Sequence, residues 1–343
     1  MCHLIYTDTF YMKRKWIRWV SWILLTPIIL FVILMVLLYV PPVQNLLRRE
    51  VTAYASKATG MQIQVERIDL RFPLNLLVRG VEVIQQPDTL LSLESLNVRV
   101  QAWPLIKGKV EVDEVTLSRV AVNSADLMEG MKIKGVLGRF FLQSHGVDLS
   151  NELAVINQVE LSDTHVQLLM NDTTTTPKDT TASAPINWKV ALHQLKLKNV
   201  SFSMQLPADS MRMAAHIGEA AIDDAQADLK NQYYDLKKFL LSGTSASYDT
   251  GTAQPAEGFD ASHIAVRDIR IALDSLLYKG RDMNAVIREF TMNERSGLSV
   301  TSLTGRAYSN DSVICVPGLK LNTPHSEIDL SAHTYWELVN IPT

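Results

Sequence analysis

The segments VEVDEVTLSRVAV (Val110–Val122) and VALHQLKLKNVSF (Val190–Phe202) share one spacing of apolar residues. In the first these are Val110, Val112, Val115, Leu117, Val120 and Val122; in the second they are Val190, Leu192, Leu195, Leu197, Val200 and Phe202. A period of two places alternate side chains on one face of a β-strand. Here every second interval is three, one residue too long, and a β-bulge or a tight bend absorbs such a residue while bending the strand and raising its twist. Looser copies occupy Ala154 to Val166 and Ile264 to Ile271, and the same slip separates Val65 from Ile68. The extra residue falls on polar pairs: Glu66-Arg67, Asp113-Glu114, Asn157-Gln158, His193-Gln194 and Arg267-Asp268. Irregular distances between copies argue against a solenoid of fixed repeat. They predict a meander of bent strands forming a sheet that curls. Val110, Val112, Val115, Leu117, Val190, Leu192, Leu195 and Leu197 are the candidate groove residues, whichever strand phase turns inward.

Upstream, Pro41-Pro42 opens a 3.6-residue stripe of Val43, Leu46, Leu47, Val51, Tyr54, Ala55 and Ala58, closed by Gly60. This predicts an amphipathic helix over 41–60, which either caps a hydrophobic core or lies in a membrane interface and closes the mouth of a groove. Before it, WVSWILLTPIILFVILMVLLYV (Trp19–Val40) is a run of 22 residues without a charge, long enough to span a bilayer as a helix. Trp19 and Trp22 at one end and Tyr39 at the other suit the two interfaces, and Pro27 is tolerable within a membrane helix. Lys13, Arg14, Lys15 and Arg18 hold residues 1–18 in the cytoplasm, so the chain beyond is expected outside. The run is too long, and lacks the cleavage site, for a removable signal peptide. A single-pass inner-membrane anchor at 19–40 is therefore expected, carrying a β-rich domain over 61–343.

Within that domain the Thr-rich stretch 171–185 and the stretch 242–260 read as exposed, mobile loops. Over 211–236 the alanines favour helix, whereas Ala220, Ile222 and Ala225 fit the strand spacing; strand is preferred. A short helical turn is expected at Ser124 to Gly130. The chain stops after an alternating run, TYWELVNIPT, which reads as a C-terminal truncation.

The chemistry-bearing residues are sparse. With a net charge of −3 there is no electrostatic case for nucleic acid. The cysteines, Cys2 and Cys315, fall on opposite sides of the expected anchor and cannot pair. Eight histidines are scattered without metal-ligand spacing, and no nucleophile elbow, phosphate-binding glycine loop or acid/base pair stands out. The expectation is a protein that is not an enzyme, with no cofactor and no metal.

Two longer stretches carry a resemblance. VPPVQNLLRREVTAYASKATGMQIQVERIDLRFPLNLLVRGVEV followed by LLSLESLNVRVQAWPLIKGKVEVDEVTLSRVAVN resembles the N-terminal part of AsmA-like and TamB-like proteins. The later IREFTMNERSGLSVTSLTGRAYSNDSVICVPGLKLNTPHSEIDL is similar to a recurring block of the same family. The resemblance implies a mainly β fold: a transmembrane helix, a short amphipathic helix, then an elongated, curled, bulge-containing, antiparallel-type sheet forming a groove or folding over itself. It implies a periplasmic trough in cell-envelope biogenesis that moves phospholipid acyl chains between inner and outer membranes. The alternative is a scaffold assisting outer-membrane protein assembly. The family's C-terminal domain, which engages an outer-membrane assembly barrel, has no counterpart in these residues. An apolar sheet face gains about 25 cal/mol per Å² on being covered, so it calls for a second sheet, helices or ligand.

Overall fold

A computed structural model describes residues 36, 39–106, 111–124, 130–148, 152–171 and 187–336. Helix α1 (Pro41–Thr59) precedes β1 (Gln62–Arg71), β2 (Asn75–Gln85) and β3 (Asp88–Val100); a one-turn helix α2 (Ala102–Ile106) leads to β4 (Val112–Asn123) and β5 (Met131–Asp148). Then come β6 (Leu153–Met170), β7 (Lys189–Leu206), β8 (Met211–Asp228), β9 (Tyr233–Asp249) and β10 (His263–Lys279). Strands β11 (Asp282–Glu294), β12 (Ser299–Val300), β13 (Ser302–Ser309), β14 (Val313–Asn322) and β15 (Glu327–Tyr335) complete the fold. All fifteen strands form one sheet, curled but not closed. Apart from the short β12, which pairs β11, they follow one another in chain order.

The pairing is antiparallel throughout except between β6 and β7, which run parallel. That exception corrects the expectation of an all-antiparallel meander and has a plain cause. Adjacent parallel strands need a crossover of a dozen or more residues, and 171–188 supplies it where hairpins join the other long strands.

The spacing slips of the sequence appear as breaks in the strand pairing, and the breaks line up across the sheet. Pairing skips Glu66 opposite Gly80, Gly80 opposite Glu94, and Glu94 opposite Arg119. The same line continues through Gly138, Asp163, Asn199, Gly218, Gly243 and Asp268. Six of these residues have left-handed backbone: Gly80 (φ 58°), Arg119 (46°), Asp163 (51°), Asn199 (53°), Gly243 (59°) and Asp268 (54°). A residue outside the β region resets the alternation, so the apolar side stays apolar on both sides of the line. From β1 to β8 the register is unchanged across the line, so these are bends rather than two-against-one bulges. True register shifts do occur, at Gln143–Gly146 of β5 and Val266–Ile271 of β10. A second line crosses Asn157, His193, Asp224 (φ 53°) and Lys237. Asn, Asp and Gly recur on these lines because they tolerate the left-handed region, and side chains brace it, as where Asn199 Nδ2 donates to Asp163 Oδ1 at 2.7 Å.

Two sequence expectations need correction. Strand β9 extends to Asp249, so the loop expected over 242–260 starts only at Thr250. Its small polar residues hid a strand with a polar outer face. Secondly, α1 has the expected extent and a left-handed Gly60 cap, but it does not bury its apolar stripe: Leu46, Leu47, Val51 and Tyr54 are exposed. The preferred strand over 211–236 is found as β8. The expected anchor, apart from Val36, Tyr39 and Val40, lies outside the described residues, as do the basic residues 13–18, most of 171–185 and residues 125–129. Among the described residues no helix is long and apolar enough to cross a membrane.

Candidate functional site: the apolar face of the sheet

Directly paired residues on neighbouring strands point to the same side of a sheet. One row of partners reads Ile68, Val78, Leu96, Leu117, Phe140, Leu161, Leu197, Ala220, Leu241, Ile271 and Phe290. The next row on that side reads Leu70, Leu76, Val98, Val115, Leu142, Val159, Leu195, Ile222, Phe239, Leu273 and Ile287. Each crosses eleven strands without one polar residue. At about 4.8 Å between strands, that is a band about 48 Å long measured along the sheet. On the opposite side, the row that flanks the first towards the line of breaks is Arg67, Arg79, Ser95, Ser118, Arg139, Ser162, Lys198, Glu219 and Ser242, while the row between the two apolar rows mixes Asp69, Asn97, Thr116, Glu160 and Lys196 with Leu77, Phe141, Ala221 and Leu240. Chemically the sheet has two unlike faces.

The structure brings most of the sequence-predicted groove residues onto this band. Leu117 and Leu197 share the first row and Val115 and Leu195 the second, each pair three strands, about 14 Å, apart. Leu192 and Val190 lie on the same side beyond the second line of breaks, in rows with Ile156, Ala225, Leu236 and Leu276, and with Ala154, Ala227, Tyr234 and Tyr278. Val112 pairs with Val100 after a register shift. Val110 lies outside the described residues. Sequence reading missed Phe140, Leu142, Phe239, Leu241, Leu273 and Phe290. In β5 glycines at 135 and 138 interrupt the spacing and Phe140-Phe141 puts an aromatic on each face, so the signal was there only through the partner strands.

Nothing covers the band among the described residues. No large side chain is fully buried, and Val112, Val115, Leu117, Val190, Leu192, Leu195 and Leu197 are all half-buried. Towards its margins the same face exposes Val122, Phe202, Met213, Tyr278 and Met283. Every extensive contact between strands joins neighbours in the sheet; among the described residues there is no second sheet and no helix across the face. Helix α1 sits instead on the free edge of β1, where its polar side bonds the edge backbone. Gln44 Nε2 donates to Leu70 O (2.9 Å), Arg48 Nη1 to Val65 O (3.2 Å) and Glu66 O (2.9 Å), and Ser56 Oγ accepts from Ile63 N (3.1 Å). Edge backbone left unpaired invites pairing with other chains, and α1 blocks it at this side of the sheet.

The polar face holds a recess of about 630 Å³ across β6 to β11, lined by His165, Ser201, His216, Ser245, Arg295 and neighbours. Ser201 Oγ and His216 Nδ1 are 2.9 Å apart, which is the first contact of a nucleophile and base. No carboxylate among the described residues bonds His216 to complete it. The acid in the recess lining, Glu294, accepts from the backbone N–H of Ser296 (2.6 Å) and of Ala265 (3.3 Å). The Ser296 contacts, above all, hold its pKa below the ordinary range, so it braces a turn. Asp260 plays the same part in the 250–262 loop, accepting from Ala256 N, Ser262 N and the His263 ring, which lowers its pKa to about 2. No cluster of three or more metal-binding side chains occurs among the described residues. The face that invites a ligand is thus the apolar one, and it supplies no reacting group.

No protein-family model matches the chain, and a search of curated proteins returns no significant match.

Proposed function

We propose that this chain is a membrane-anchored carrier of phospholipid acyl chains in cell-envelope biogenesis, working between inner and outer membranes. The observation that carries the reading is the pair of eleven-residue apolar rows, Ile68 to Phe290 and Leu70 to Ile287, lying on a face with no covering layer. A side chain of leucine or phenylalanine left in water forgoes about 1.5–3 kcal/mol, and two continuous rows make that cost large unless hydrocarbon fills the trough. Acyl chains suit such a site because they ask for area and not for directional partners. A band about 48 Å long accommodates more than one chain end to end. The resemblance of residues 41–123 to AsmA-like and TamB-like proteins, with the 19–40 run as anchor, supports the same reading. Under it the protein is no enzyme and needs no cofactor.

The alternative, a scaffold for outer-membrane protein assembly working through a closed dry core, calls for a facing layer over the apolar rows, and none lies on them among the described residues. Native mass spectrometry of the full chain, extracted from its membranes in mild detergent, tests the proposal. Phospholipid adducts that survive washing are expected; a chain that carries no lipid from native membranes would overturn it.

A further inference from the structure

Helix α1 is amphipathic the wrong way round for a helix that packs on a protein. Its inner side is Gln44, Arg48, Thr52 and Ser56, spaced at four residues, and three of these bond the edge of β1. About 100° round the helix, Leu47, Val51 and Tyr54 point away from the sheet with exposures of 40%, 49% and 77%. Where the chain enters the helix, aromatic residues from three separate segments gather at one end of β1 to β3. Tyr39 donates its hydroxyl to Pro73 O (2.7 Å) with its ring edge-on to Phe72. Phe72 in the β1–β2 turn is 85% exposed and Trp103 in α2, after β3, is 70% exposed. Immediately before Tyr39 runs the uncharged stretch from Trp19.

From this arrangement we infer that the α1 edge of the sheet lies on the bilayer surface, with Leu47, Val51 and Tyr54 sunk among the acyl chains and Phe72 and Trp103 at headgroup depth. The inference rests on the 19–40 anchor reading and deepens the proposed function, because it puts the β1 end of the apolar face against the leaflet that would supply lipid. A membrane is the occupant that fits. Aromatics of this amphipathic kind concentrate at the interface, and an amphipathic helix there buries its apolar side about 5–10 Å into the headgroup boundary. Pro41 starts α1 directly after the apolar run, leaving no linker to carry the helix away from the surface. Its polar side is meanwhile held by the sheet, so docking on the bilayer needs no rearrangement of α1.

The test is site-directed spin labelling of the full chain, with Cys2 and Cys315 replaced by serine, reconstituted in nanodiscs of phosphatidylcholine and phosphatidylglycerol. Labels at Leu47, Val51 and Tyr54 should be reached by oxygen in preference to a water-soluble nickel complex. Labels at Arg49, on the outer third side of α1, and at Glu82, on the polar face, should show the reverse preference. Equal nickel access at all five positions overturns the inference. So do labels at 47, 51 and 54 shielded from both reagents, since that outcome means a protein surface covers them. A triple variant, Leu47→Ser, Val51→Ser and Tyr54→Ser, should unfold close to the parental temperature because all three side chains are exposed. Its lipid adducts, read by mass spectrometry in detergent, should persist, which separates failure of membrane docking from failure of the carrier reading.

Discussion

Replacing Leu117 by aspartate puts a carboxylate into the middle of the first apolar row, between Leu96 and Phe140. Leu117 is half-buried, so removing its side chain forfeits about half the value of a fully buried leucine, about 1 kcal/mol. If acyl chains occupy the face, the new carboxylate is also parted from water without a partner, at about 1–3 kcal/mol. The half of Leu117 left exposed, which acyl chains would cover, is worth about the same again, so the loss in lipid binding sums to about 2 kcal/mol at its lower end, roughly a thirtyfold loss of lipid occupancy. Ser118→Asp is the matched control, one residue away on the opposite face between Ser95 and Arg139, where a change within about 0.5 kcal/mol is expected. Lipid adducts counted by native mass spectrometry, alongside thermal unfolding of delipidated protein, read both terms. Without lipid the face is wet, so only the leucine term should reach the melting curve while loading collapses. Parental loading in Leu117→Asp, or equal loss in both variants, would refute the reasoning.

Gly218→Ala should destabilise by about 1–3 kcal/mol, as overpacking does, because a Cβ there would stand 2.8 Å from Gly243 O and 3.0 Å from Ser242 O; denaturant titration checks this, and no shift in midpoint would mean the line of breaks is not tight. Asp260, whose pKa is lowered to about 2 by its bonds to Ala256, Ser262 and His263, contributes stability that is complete above the ordinary value of 3.8 and lost as pH falls towards 2. Amide exchange in residues 250–262 should accelerate over that interval, and Asp260→Asn should remove the pH dependence there. Shortening the β6–β7 connection by six of its Thr-rich residues should be far more damaging than for an ordinary surface loop. Strand β6 has 18 residues, a contour of about 60 Å at about 3.3 Å each, and the chain from 171 to 188 must retrace it; circular dichroism and solubility of the deletion variant report the outcome.

Breaks in β1, β4, β6, β7 and β10 were legible because they leave one mark, an interval of three among twos, and Asp163, Asn199 and Asp268 sit where such marks are. What the sequence does not carry is alignment. That Glu94, Arg119 and Gly138 fall at one height follows from pairing, and no single strand specifies it. The parallel step was hidden for the same reason: a Thr-rich stretch looks alike whether it turns the chain back or carries it across. Part of the apolar band was missed in β5, where Gly135 and Gly138 give no hydrophobic signal and hide the rows that Phe140 and Leu142 continue. Helix α1 shows the sharpest limit. Periodicity located its apolar side through Leu47, Val51 and Tyr54, but which side meets the protein was decided by Gln44, Arg48 and Ser56 finding bare strand backbone.

A single layer whose extensive strand contacts all join neighbours behaves less like a globule than like a zipper. Its stability is close to a sum over adjacent pairs, as in linear repeat arrays, so damage at one strand stays near that strand and one melting temperature describes no part well. The two ends are unequal. At β1 the zipper is closed by the side chains of α1, whereas among the described residues β15 pairs with β14 alone. Wherever β15 stands bare, fraying should begin there and travel inward, and the strands beside α1 should be the last to let go.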